Sequence, residues 1–156
     1  MKQQQAKVYY QVGNDFLKKG DYISAIESYK AAIRFSPGYF KAYSNLGVAY
    51  KMAGLLKQAE AVYQMALKIK PNSGVIFNNL GNVYVQMDRL KEAEMFYLKA
   101  IRIYPEYKEA YYNLGQVYYF TGEKKKAIET RIILEKLKLR YPVKPNNRRI
   151  LNGSHN

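Results

Sequence analysis

Asn45, Asn79 and Asn113 stand 34 residues apart. A side-chain amide offers a donor and an acceptor at once, which is what a peptide group needs from a partner. A row of such amides can hold an extended backbone without reading its side chains. Covalent chemistry has no comparable set. The one His is His155, near the end, Cys is absent, and the carboxylates are scattered with no paired acid–base spacing. No glycine-rich phosphate loop and no metal-ligand cluster occurs. The expectation is a binding protein rather than an enzyme, with no metal and no cofactor.

The 156 residues suffice for one domain or one short repeat array, and a 48% hydrophobic content can supply a core. The opening MKQQQAKVYYQVGNDF has no apolar run, so neither a signal peptide nor a membrane anchor is expected there. No run of apolar residues is long enough to span a bilayer. Together with the lack of Cys, this gives an expected cytoplasmic location. The formal charge of +14 favours acidic partners, whether acidic protein segments, nucleic acid or an anionic surface.

The elements that carry the asparagines are repeated too. YYQVGNDF, YSNLGVAY, FNNLGNVY and YYNLGQVY begin at Tyr9, Tyr43, Phe77 and Tyr111, again 34 residues apart. Gly13, Gly47, Gly81 and Gly115 form one series, Ala25, Ala59, Ala93 and Ala127 another, and Pro37, Pro71 and Pro105 a third. Three small-residue series locked to one period define an internal repeat. Within a unit, Tyr43, Leu46, Gly47 and Tyr50 share one helix face, a break follows near Gly54, and Ala59, Tyr63, Ala66 and Leu67 share a second face before Pro71. Each unit is therefore predicted to be a helical hairpin. Gly and Ala let the two backbones approach, and large rings fill the space beside them.

These residues resemble the tetratricopeptide repeat (TPR) pattern: aromatic-x2-Leu-Gly-x2-Tyr, then Ala-x3-aromatic, then Pro. The resemblance covers about residues 6 to 141, as units 6–39, 40–73, 74–107 and 108–141, with 142–156 left as a basic, polar tail. The first unit substitutes Val12 and Phe16. The fourth departs more, with Arg131 where an aromatic belongs and Leu139 where Pro belongs. The resemblance implies an all-α, right-handed superhelical solenoid of four hairpins. No hairpin can bury its apolar face alone, so stacking identical units demands identical contact residues.

In that family the first helix of each hairpin lines a concave groove. Ten of the 17 Tyr fall at packing positions. Of the seven left over, Tyr10, Tyr39, Tyr107, Tyr112, Tyr119 and Tyr141 map to the groove, where an aromatic with a polar tip suits binding. The expected groove set is Lys7, Tyr10, Asn14, Lys18, Lys41, Asn45, Lys51, Asn79, Asn82, Tyr112, Asn113, Gln116, Tyr119 and Phe120. The ligand is expected to be an extended peptide or a partner helix: Tyr112, Tyr119 and Phe120 would anchor it, the amides would meet its backbone, and the lysines would attract acidic residues. For the asparagines a tie between adjacent helices is an equal alternative. A chaperone-type carboxylate clamp is not expected. Asn14 and Asn45 match it, but Tyr10, Val75 and Asn79 stand where it needs cations.

From Glu123 to Arg149 ten cations face three anions, which is half the net charge. Two further readings follow. One is a nucleic-acid or anionic-surface binder using the last helix and tail, ranked below protein binding because a solvated helix explains the charge as well. The other is an assembly unit. Without a polar cap, Ile132, Ile133 and Leu137 become candidates for self-association into a homo-oligomer, unless Val143, Ile150 and Leu151 fold back over them or the chain is cut from a longer array.

Overall fold

A computed structural model describes residues 1–140. Tyr141, the tail 142–156 with its fold-back residues, and His155 lie outside the described residues.

Eight helices and no strand make up the described residues: α1 Lys2–Lys19, α2 Tyr22–Phe35, α3 Phe40–Met52, α4 Leu56–Ile69, α5 Gly74–Gln86, α6 Leu90–Ile103, α7 Lys108–Phe120 and α8 Lys124–Arg140. They pair as hairpins in chain order. Asp21 caps α2 by accepting from the Ser24 N–H at 3.1 Å, and Ser73 caps α5 through the Ile76 N–H. The tight turn inside each hairpin puts one residue in the left-handed region. Gly20, Gly54 and Gly122 serve with φ of 77°, 75° and 78°, while the third hairpin uses Asp88 at 58°.

The small-residue series does what its spacing predicts. Tyr29, Tyr63 and Tyr97 are fully buried and press against Gly13, Gly47 and Gly81, so a Cβ on Gly13 would fall 2.6 Å from the Tyr29 ring. Ala25, Ala59 and Ala93 are sealed between helices, and Leu46, Leu80 and Leu114 fill the space between hairpins. Burying one such ring contributes about 2 kcal/mol. The fourth hairpin breaks the rule. Arg131 replaces the ring, and the nearest atom to a Cβ on Gly115 is Thr130 Cγ2 at 3.7 Å.

Hairpins stack chiefly by packing the second helix of one on the first helix of the next, α2 on α3, α4 on α5 and α6 on α7, and the first helices also meet. Among the described residues the backbones of α1 and α3, of α3 and α5, and of α5 and α7 approach closely, whereas those of the even-numbered helices stay apart and α6 and α8 meet only through the Lys126–Glu94 ion pair at 3.6 Å. The odd helices thus close ranks on the inner side and the even ones splay outward, which gives the superhelical curve. Tyr84 and Tyr118 staple successive hairpins by donating to the carboxylates of Glu60 and Glu94. At the end of the array α8 buries only Thr130 and Leu134, because no further hairpin covers it among the described residues.

Candidate functional site: the groove and the open end

Each odd helix turns one side to the concave surface, and the amides there are connected. Tyr29 donates to Asn14 Oδ1 at 2.8 Å, and the same oxygen accepts from Asn45 Nδ2 at 2.8 Å. Asn45 Nδ2 also donates to the Tyr10 hydroxyl at 3.2 Å. Two hairpins on, the design recurs. Tyr97 donates to Asn82 Oδ1 at 2.7 Å, and Asn113 Nδ2 donates to Asn82 and Asn78 at 3.2 and 3.1 Å. Asn45 and Asn113 therefore spend their N–H groups tying adjacent first helices together, the alternative that the sequence left level with ligand contact.

The middle rung is missing. Val48 occupies the position of Asn14 and Asn82, and among the described residues the buried Tyr63 hydroxyl has no hydrogen-bond partner. Asn79 sits beside that hydroxyl and draws its pKa down, against a larger upward push from burial. No hydrogen bond closes between the two side chains. Of the three serial asparagines, Asn79 is the one whose amide the scaffold leaves available. Burial also raises Tyr97, and lifts Tyr29 to about 12 despite the opposing influence of the nearby Asn45 amide.

The predicted groove residues separate into distinct environments. Tyr10 is half-buried, with ring centroids 5.9 Å from Tyr29 and 5.1 Å from Tyr39, so it belongs to the packing. Lys7, Lys18 and Lys41 are exposed. Lys51 is half-buried, and burial lowers its pKa. Among the described residues no carboxylate pairs with it. It shares a pocket of ≈ 320 Å³ with Asn82, Val85, Gln86, Asn113, Gln116 and Phe120, drawn from α3, α5 and α7. Tyr119 and Phe120 are largely exposed and meet edge to face at 5.7 Å.

Tyr112, Gln116 and Tyr119 also line a second cleft, of ≈ 540 Å³, where the missing ring at Arg131 leaves room between α7 and α8. Sequence reading did not single out this cleft, although Arg131 in an aromatic series was its signal. Ile128, Arg131 and Leu134 supply its α8 wall. Ile132 and Ile133 are exposed and Leu137 half-buried, on other sides of α8.

Among the described residues no group of three His, Cys, Asp or Glu could hold a metal ion, and no helix is long and apolar enough to cross a membrane.

The chain belongs to the tetratricopeptide repeat family. Family models described as TPR repeat and tetratricopeptide repeat match residues 13–54, 40–73 and 72–130. Among solved structures, a crystal structure of MamA protein is similar at 28% identity and TM-score 0.75, over 88% of this chain and 75% of that one. The first TPR of Spaghetti (RPAP3), bound to the HSP90 peptide SRMEEVD, matches at 22% identity and TM-score 0.72, over 77% and 95%. Pseudomonas aeruginosa pilF matches at 24% identity and TM-score 0.78, over 88% and 63%. No curated protein matches the chain. TPR domains are in general protein-interaction scaffolds.

Proposed function

We propose that the protein is an interaction module whose groove binds an extended peptide through an acidic residue beside an apolar one. The observation that carries this is Lys51. It is a cation partly withdrawn from water, with no acidic partner among the described residues, in a pocket lined by three successive first helices together with Leu90 and Tyr97 of α6. A peptide carboxylate there would offset the desolvation of Lys51 through a charge-assisted pair. Phe120 offers the adjacent apolar wall, Gln86 and Gln116 offer amides to the peptide backbone, and Asn79 extends that row toward the gap at Val48. Lys7, Lys18 and Lys41 add long-range attraction to acidic sequences. A fold relative binds a peptide containing Glu-Glu-Val-Asp, which supports this ligand class. A display library of random peptides panned against the purified protein tests the reading. Enrichment of Asp or Glu next to an apolar residue, lost on Lys51→Met, is expected. Enrichment that ignores charge or survives Lys51→Met would overturn it.

A further inference from the structure

The two ends of the array carry the two halves of one internal junction. Where the second hairpin stacks on the first, Asn45 of α3 reaches Tyr10 and Asn14, and Ile26 is covered to 4% exposure. One repeat period relates positions that differ by a multiple of 34, so the outgoing face of the fourth hairpin places Tyr112, Gln116 and Ile128 in the registers of Tyr10, Asn14 and Ile26. The set is the same in kind: a phenol, an amide and an isoleucine. Ile128 is 60% exposed, and the cleft beside it lies open.

The incoming face of α1 is the matching half. Val8, Tyr9, Gln11 and Val12 stand in the registers of Ala42, Tyr43, Asn45 and Leu46. Leu46 is 4% exposed, whereas Val8 and Val12 are 48% and 38% exposed. Gln11 thus brings an amide to where Asn45 would reach Tyr10 and Asn14, here Tyr112 and Gln116.

We infer that α1 of a second copy docks on the α7–α8 face, so that copies stack head to tail and continue the internal repeat. One exchange favours a second copy over an arbitrary further hairpin. Hairpins three and four each bring a tyrosine hydroxyl to a glutamate on the preceding hairpin, Tyr84 to Glu60 and Tyr118 to Glu94. In those registers α1 carries Phe16 and α8 carries Ile128, so the hydroxyl and the carboxylate are absent together. Asp15, in the register of buried Ala49, brings a carboxylate to a face holding Arg131 and Lys138. Glu135 is the one acid in that cleft wall and is already paired with Lys138. An interface between different faces does not close on itself, so stacking produces open chains. Each copy carries +14, so mutual repulsion opposes stacking and added salt relieves it.

Sedimentation velocity on the full chain at high salt tests the inference, with Val12→Lys and Ile128→Lys as variants and helical circular dichroism as the folding control. Both positions are exposed and neither lines the Lys51 pocket. Wild type should gain mass with concentration, more so as salt rises. Each variant alone should remain monomeric, because each lacks one of the two faces. Mixed in equal amounts they should form a dimer and nothing larger, since one intact junction is left. A wild type that stays monomeric at every concentration and salt level would overturn stacking. Self-association by either variant alone, or a mixture that stays monomeric, would overturn the head-to-tail assignment.

Discussion

The same motif glycine should respond to one substitution with opposite signs in adjacent hairpins. In the third, a Cβ on Gly81 would lie 2.7 Å from Tyr97 Cδ1 and closer still to Cε1. Tyr97 cannot step aside, because it is fully buried and its hydroxyl is held by Asn82 at 2.7 Å. Overpacking of this kind costs about 1–3 kcal/mol, and the better helix propensity of alanine returns about 0.5–1 kcal/mol. Gly81→Ala should therefore destabilise by about 1–2 kcal/mol. In the fourth hairpin the nearest atom to the new Cβ is Thr130 Cγ2 at 3.7 Å, ordinary contact distance. Gly115→Ala keeps the propensity gain and should stabilise by about 0.5–1 kcal/mol. At about 2–4 °C per kcal/mol for a domain of this size, the two variants should bracket wild type by several degrees in thermal melts followed by circular dichroism. A Gly115→Ala that melts below wild type, or equal shifts in both variants, would refute the view that these glycines are seats for the rings.

Three further outcomes follow from the same geometry. Tyr63→Phe removes an unpartnered buried hydroxyl and should be neutral or stabilising by up to about 1 kcal/mol, whereas Tyr97→Phe breaks a hydrogen bond and should cost about 1 kcal/mol in urea denaturation. Asp88→Gly relieves an L-residue in the left-handed region and should raise the urea midpoint by about 0.5–1 kcal/mol equivalent. Alkali should unfold the protein. An unfolded phenol titrates near pH ~10, while folding raises Tyr29 to about 12 and pushes Tyr63, Tyr97 and Tyr118 upward too. Above the unfolded value the unfolded chain holds fewer protons than the folded one, so stability falls as pH rises. Melting temperature should be level below about pH 10 and drop above it; a flat profile through pH 12 would contradict the burial of these phenols.

The hairpins were legible because stacking repeats its contacts, and Gly, Ala and Pro at one period leave little freedom of interpretation. That the first helices line a binding groove is an expectation from the family resemblance. The fate of the amides was not legible, since Asn45 and Asn79 look alike in sequence. Only the distances show that Asn45 is engaged by Asn14, and that Val48 denies Asn79 the same partner. Tyr10 likewise maps to the groove yet packs between Tyr29 and Tyr39. At the open end the apolar composition of α8 drew attention to Ile132 and Ile133, but helix phase decides which side meets a neighbour. The cleft beside α7 is lined by Ile128 and Arg131, and under the stacking proposal that is the side a neighbour meets. Lys51 could be placed in the groove from sequence, whereas its partial burial depends on three helices converging.

Lys51 and its pocket are proposed to hold the acidic residue of a peptide. The most direct measurement is isothermal titration of the most enriched display-selected peptide into wild type, Lys51→Met and Ile128→Lys at low and moderate salt. Binding should weaken about tenfold or more in Lys51→Met, in line with about 1.5–3 kcal/mol for a charge-assisted hydrogen bond. It should be unchanged in Ile128→Lys, and replacing the peptide's acid by its amide should cost wild type the same amount and Lys51→Met almost nothing. Equal affinity of wild type and Lys51→Met for the acidic peptide would contradict the account.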